Sequence, residues 1–306
     1  MSARVVILGI FVADTTFRAN RQPRMGETIL GNSFQLGPGG KGSNQAVAAA
    51  RSGAETYFIS RLGSDAFADM ADAIWRDAGV HAAVSRHQML STGAAHIFIE
   101  EASGDNAIIV CPGVAETISA ADLESHAELI ASAGVFMTQL EQPLEAARHG
   151  LQLARDSGVK TILNPAPAAV LDDAMLGLCD FITPNETEAE ALTGIGVATL
   201  QQAEAAAIAL RQRGAAAAII TLGERGALYH DAETTLHVEA FDAGPVVETT
   251  GAGDAFNGGL ATALAQGKTA AEAVRFGCAT AALSVTRAGT AGAMPALAEI
   301  TALLNA

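Results

Sequence analysis

The sequence predicts an α/β protein in three layers. Helices cover both faces of a mostly parallel central sheet, and a small β-sheet projects from it. Three observations carry this. Short β-rich apolar runs at 5–8, 56–60, 135–139, 161–163, 181–183 and 218–221 have the character of buried parallel strands. Helical periodicity returns between them, at 43–51, 65–77, 144–155 and 203–213. Two segments, 12–36 and 94–110, break the alternation.

Taken in order, 5–8 ends at Gly9 and reads as the first strand. Ser43 is a candidate cap for the helix to Arg51, with Gly53 as its stop. Residues 65–77 are amphipathic and end at Gly79. The segment 12–36 carries Pro23 and several glycines and lacks helical periodicity, whereas 94–110 reads as two strands around Ser103-Gly104-Asp105-Asn106. Together they form the predicted flap, suited to closing on a substrate and excluding water, or to pairing with a second copy. Residues 227–230 and 235–238 form a hairpin about Asp231-Ala232-Glu233. Helices at 255–266 and 270–286 follow, and one more comes after Pro295. The 306 residues suffice for one large domain or two smaller ones, and no low-complexity linker stands out.

Composition narrows the function. Half the residues are hydrophobic and only 17% are charged, enough for a large core and against disorder. A net charge of −15 disfavours nucleic acid and anionic membranes as partners. Cys111, Cys179 and Cys278 are scattered without metal-ligand spacing and read as free thiols. No signal peptide or bilayer-length apolar run is evident, so a cytoplasmic protein is expected.

The most informative stretch is Thr249-Thr250-Gly251-Ala252-Gly253-Asp254-Ala255-Phe256. The glycines can expose backbone N–H groups. The start of a helix carries unpaired N–H groups and a positive dipole end. An anion cradle beside the Asp254 carboxylate supplies what phosphoryl transfer to an alcohol needs. Asp254 as a plain helix cap explains the same residues.

A second cluster, Gly37-Pro38-Gly39-Gly40-Lys41-Gly42-Ser43-Asn44, fails the P-loop pattern because Gly42 follows Lys41, and it fits a dinucleotide fingerprint poorly. It suits a polyol, or a flexible turn before a helix. In Thr183-Pro184-Asn185-Glu186-Thr187-Glu188, Asn185 and Glu188 share one face of a first helical turn. They can hold a hydrated Mg²⁺, form a capping box, or do both. Thr221-Leu222-Gly223-Glu224-Arg225-Gly226 reads as a turn along a nucleotide or as a plain β-turn. Asp14 and Glu141 lie just past strand ends, where ligands of open α/β sheets gather, and both are also explained as solvated loop carboxylates.

Together, from residue 5 to about 295, these clusters resemble the ribokinase-like family of sugar kinases. The resemblance rests on Gly39-Gly40-Lys41-Gly42-Ser43-Asn44-Gln45-Ala46, Asn164-Pro165-Ala166-Pro167, Asn185 to Glu188, and Gly251-Ala252-Gly253-Asp254, in this order. It implies ATP-dependent phosphorylation of a sugar's primary hydroxyl, D-ribose to ribose 5-phosphate being the expected reaction. Asp254 would be the base, with the N–H groups of Gly251, Ala252 and Gly253 as anion hole. Asp14, Gly39, Gly40, Lys41, Asn44 and Glu141 would contact sugar. Asn185, Thr221, Gly223, Gly226 and Gly253 would lie along ATP, and Glu188 would act on Mg²⁺ indirectly. Glu248 and Thr250 would hold a monovalent cation such as K⁺, and the flap would be a lid through which two copies dimerise.

The chain departs from the family at three places. Val12 stands where an Asn is usual, Glu248 where an Asp is usual, and Ala293 where a Ser is usual. The first keeps nucleoside, deoxyribose and fructose kinases in view, and the others bear on the cation. A non-catalytic sugar- or nucleotide-binding regulator would not need the Asp254 base. A dehydrogenase lacks its fingerprint after the first strand.

Overall fold

A computed structural model describes residues 3–306. In the first half, β1 (Arg4–Leu8), β2 (Val12–Ala19) and β3 (Ser33–Gly39) lead into α1 (Lys41–Arg51), β4 (Glu55–Leu62), α2 (Ala66–Ala78) and β5 (His81–Arg86). Next come β6 (Thr92–Glu100), β7 (Asn106–Gly113), α3 (Ala120–Glu124), α4 (Ala127–Ala131) and β8 (Val135–Thr138). The second half holds α5 (Leu144–Asp156), β9 (Lys160–Leu163), α6 (Asp173–Leu176), β10 (Phe181–Ile182), α7 (Glu186–Thr193) and α8 (Leu200–Gln212). It closes with β11 (Ala217–Thr221), β12 (Ala227–His230), β13 (Thr235–Val238), α9 (Ala252–Ala265), α10 (Ala270–Ser284) and α11 (Leu297–Leu304).

The main sheet has nine strands in the order β13-β12-β11-β10-β9-β8-β1-β4-β5. It is parallel from β11 to β5, and the β12–β13 hairpin adds an antiparallel edge. A parallel sheet must be covered on both faces, and alternate residues of β1 show how. Val5 and Ile7 join a core built with α1, α2, α9 and α10. Val6 and Leu8 join one built with α3, α5 and α8. Among the described residues, no helix is long and apolar enough to cross a membrane.

A separate four-stranded sheet has the order β3-β2-β6-β7. The two interrupting segments of the sequence thus pair, with bounds slightly wider than 12–36 and 94–110. β2 runs parallel to β6 and antiparallel to β3. This small sheet exposes Phe17, Phe34, Leu36, Ile108, Ile109 and Val110.

Other expectations need correction. β5 was not expected, because Ala82, Ala83 and Ser85 give it little β character. Ser43 is no cap: α1 starts two residues earlier, and the fully buried Ser43 hydroxyl accepts from Trp75 Nε1 at 2.9 Å. Gly40 precedes that helix at φ +90°, where an added Cβ would meet Ile10 O at 2.4 Å, so only glycine fits. α9 likewise begins at Ala252 rather than at residue 255, behind Gly251 at φ +83°.

Candidate active site

The carboxyl ends of the parallel strands meet the N-termini of α1 and α9 here, where open α/β sheets gather ligands. Asp254 lies inside the first turn of α9, only 8% exposed. It does not cap the helix. Its Oδ2 accepts from Asn44 Nδ2 at 3.0 Å and its Oδ1 from Gln45 Nε2 at 3.1 Å. Burial raises its pKa, opposed by the positive charge of Lys41 and by these two donors. The first N–H groups of α9 stand beside this carboxylate. An added Cβ on Gly253 would meet open space, so a ligand can approach the backbone there. The Ala252 N–H is turned to Thr249 O at 3.2 Å, and it can serve a ligand only by giving up that bond.

Lys41 is the hub of the opposite wall. Its backbone N–H donates to Glu141 Oε2 at 2.7 Å, tying the start of α1 to the loop after β8. Burial pushes Glu141 up to about 7, with the Lys41 charge and N–H acting against it and Asp254 and Asp14 adding to it. Burial likewise lifts Asp14 to about 6. An added Cβ on Gly39 would lie 2.3 Å from Asp14 Oδ2, so the missing side chain makes room for that carboxylate. Asp14, Lys41, Asn44, Glu141 and Asp254 are therefore brought together, although they come from β2, α1, the loop after β8 and α9.

Asn185 and Glu188 do form a capping box: Glu188 N donates to Asn185 Oδ1 at 2.8 Å, and Asn185 N to Glu188 Oε2 at 2.9 Å. Glu188 is nonetheless 8% exposed, with its pKa raised by burial and influenced by Lys41 and Asp254. It thus borders the same site. Thr221 is bridged to Asn185, and its backbone N–H donates to Pro184 O at 3.0 Å. In the turn that follows, Gly223 has positive φ with open space beside it. Gly226 has a structural reason of its own, since an added Cβ would lie 2.0 Å from Val238 O. Glu248 Oε2 accepts from Gly289 N at 2.8 Å, and Thr250 is exposed. Among the described residues no three His, Cys, Asp or Glu side chains cluster to hold a metal.

Sequence reasoning missed the buried amides behind Asp254. Gln45 contacts it directly, and Asn164, Thr183, Asn257 and Gln139 continue the network. The signal was faint: Gln45 adjoins Asn44, and Asn164 opens an Asn-Pro turn.

A buried carboxylate beside a glycine-led helix N-terminus, at the strand ends of a parallel sheet, sets a proton acceptor next to an anion cradle, which is what phosphoryl transfer to an alcohol needs. Comparison with known proteins agrees. The chain matches the pfkB family carbohydrate kinase description over residues 2–297 and belongs to that family. It is an ATP-dependent sugar kinase. It is 38% identical over 300 residues to the ribokinase of Haemophilus influenzae, covering 98% of this chain and 97% of the relative. It is 35% identical over 303 residues to the deoxyribokinase of Salmonella typhi, covering 98% of each. The structure of Arabidopsis thaliana ribokinase complexed with ribose and ATP superposes with a TM-score of 0.95 at 31% identity, over the whole of both chains.

Proposed function

We propose that this enzyme transfers the γ-phosphoryl group of ATP to the primary hydroxyl of D-ribose, giving ribose 5-phosphate. The observation that carries the reading is Asp254, a buried carboxylate inside the first turn of a helix led by Gly251. Asp254 accepts the hydroxyl proton as the oxygen attacks phosphorus in line. The amides of Gly251 and Gly253, and Ala252 once it leaves Thr249, stabilise the transferring charge. Asp14, Gly39, Gly40, Lys41, Asn44 and Glu141 hold the sugar. Asn44 Oδ1 has no partner among the described residues, which leaves it as an acceptor for a hydroxyl.

ATP lies along Asn185, Thr221, Gly223 and Gly226. Bound Mg²⁺ would keep several waters and would neutralise the charge of the ATP phosphates. Glu188 Oε2 is used by the capping box, so its other oxygen would be the one left to act on the ion, indirectly. K⁺ is assigned to the segment of Glu248 and Thr250. The chain forms one catalytic domain with a lid from about 12–36 and 94–110. It acts in the cytoplasm as a homodimer joined through the exposed apolar residues of that lid.

One observation favours a second substrate. Val12 is 4% exposed and lies two residues before Asp14 on β2, so both face the same side of the strand. A sugar hydroxyl facing Val12 finds no hydrogen-bond partner, which favours a sugar lacking it, as in 2-deoxyribose. The test is ADP release with ATP and Mg²⁺, in K⁺ and in Na⁺, against ribose, 2-deoxyribose, fructose and ribonucleosides. The highest kcat/KM on ribose supports the first reading. A preference for 2-deoxyribose moves the substrate and keeps the mechanism. Sugar and ATP binding without ADP release on any of them would remove the reading.

A further inference from the structure

Behind Asp254 runs a closed path of buried hydrogen bonds. Gln45 Nε2 donates to Asp254 Oδ1 at 3.1 Å and to Asn164 Oδ1 at 3.0 Å. Asn164 Nδ2 donates to Thr183 O at 3.0 Å. Thr183 Oγ1 donates to Asn257 Oδ1 at 2.6 Å, and Asn257 Nδ2 donates to Gly253 O at 2.8 Å. Gly253 O belongs to the peptide that leads into Asp254. The path therefore leaves the carboxylate and returns to its own backbone at the glycine turn. It crosses α1 and the ends of β9 and β10 on the way.

The direction of every amide follows from chemistry. An ionised carboxylate only accepts, so Gln45 must present its NH₂ to Asp254. Its Oε1 then faces Gln139, whose Nε2 donates to it at 2.5 Å. Gln45 and Gln139 are fully buried, Thr183 and Asn257 nearly so. Buried polar groups in such numbers are costly unless they are partnered, and a satisfied path is rigid. The side chains of Gln45, Asn164, Thr183 and Asn257 are partnered, whereas Gln139 Oε1 beside them has no partner among the described residues. An apolar core would fill the same space without that demand.

We propose that Gln45, Asn164, Thr183 and Asn257 are positioning residues for phosphoryl transfer, locking the Asp254 carboxylate and the Gly253 peptide into one rigid unit. Base and anion cradle then keep a fixed separation as the sugar and ATP arrive. This inference rests on Asp254 being the base.

The far end of the path supplies the test, because Thr183 does not touch Asp254. Thr183→Val removes one hydroxyl and keeps the shape. It is expected to lower kcat about 5–30-fold with both KM values nearly unchanged, as for an interaction felt in the transition state. Thr183→Ser restores the hydroxyl and should recover most of that loss. Gln45→Ala should lower kcat further and move the acidic limb of the kcat profile to higher pH, since a donor to the charged form is gone. In the double variant the losses should fall well short of multiplying, as for groups acting through one unit.

Folding of each variant is checked by circular dichroism, and rates are taken per folded molecule. If folded Thr183→Val turns over normally, or the two losses multiply, the proposal is overturned while the base assignment stands. If Asp254→Asn turns over normally, the base is lost and this proposal with it.

Discussion

Lys41 donates its backbone N–H to Glu141 Oε2 at 2.7 Å, across a hundred residues of sequence. The amide is among the first of α1 and has no partner within its helix. Glu141 thus does for α1 what a capping side chain does elsewhere, from another element. It does so at a cost, because burial lifts its pKa from 4.5 to about 7.

The sign of that cost sets a pH dependence. A carboxylate whose pKa is raised on folding binds more protons in the native state. The stability linked to it is full below about 4.5 and is lost as pH rises through about 7. Asp14 adds the same trend between 3.8 and about 6. Glu141→Gln keeps an oxygen for the Lys41 N–H and removes the charge. Ligand-free Glu141→Gln should be more stable than the parent at pH 8 by about 1–3 kcal/mol. The gap should close near pH 4.5. Urea denaturation at both pH values checks this. Equal stability at pH 8 would mean that the carboxylate stays well solvated.

Asp254→Ala tests the chemistry directly. The variant loses the group that accepts the hydroxyl proton but none of the N–H groups of α9. The expected result is a kcat lower by about 10²–10⁴-fold, the usual worth of a positioned base. Sugar and ATP should still bind in calorimetry, and the circular dichroism spectrum should be unchanged. The same variant also leaves Asn44 Nδ2 and Gln45 Nε2 without this acceptor, so a modest drop in melting temperature accompanies the loss.

Much of this site was legible in the sequence because it lies in local motifs. Gly251 to Asp254 and Gly39 to Asn44 carry their meaning in adjacent residues: positive φ, exposed backbone and one carboxylate or amide. Asn185 and Glu188 carry theirs at helical spacing. The alternation of apolar runs and helices gave the sheet for the same reason. Gln45, Asn164, Thr183 and Asn257 were not legible in this way. Each is an ordinary polar residue locally, and only the crossing of strand ends with α1 and α9 makes it a partner of Asp254. Ser43 misled because a serine before an Ala-rich run is a good cap on local grounds, whereas Trp75 from α2 claims its hydroxyl. The early start of α1 has the same origin: Glu141, distant in sequence, takes up the helix's first free N–H.

The small sheet leads to a prediction about assembly. Ile109 on β7 is 65% exposed and Phe34 on β3 is 57% exposed, at opposite edges of the same sheet. Isolated exposed apolar residues are common, but a sheet carrying several of them marks an interaction surface. Light scattering should give twice the 31.1 kDa chain mass. Ile109→Glu should give the single-chain mass at the same concentration, with its circular dichroism intact. A parent protein of single-chain mass at tens of micromolar would remove the dimer from the reading.

The tight packing of α9 against α1 beneath the site predicts a stability effect with a catalytic consequence. An added Cβ on Gly258 of α9 would lie 2.4 Å from Ala48 Cβ and 2.8 Å from both Ala49 N and Gln45 O. Two of those three contacts are backbone, which cannot swing aside as a side chain can. Gly258→Ala therefore forces α1 and α9 apart by a few tenths of an ångström or more. Overpacking of this kind costs about 1–3 kcal/mol. That outweighs the gain of about 1 kcal/mol from replacing glycine by alanine within a helix. The melting temperature should fall by several degrees. Because α1 carries Asn44 and Gln45 while α9 carries Asp254, the same displacement lengthens both hydrogen bonds to the base, and kcat should fall with it. Gly292→Ala is the control for stability, since an added Cβ there meets nothing within 4 Å. Its melting temperature should match the parent. If Gly258→Ala melts like Gly292→Ala and turns over at the parental rate, the two helices tolerate separation and the tight fit between them does not set the geometry of the base.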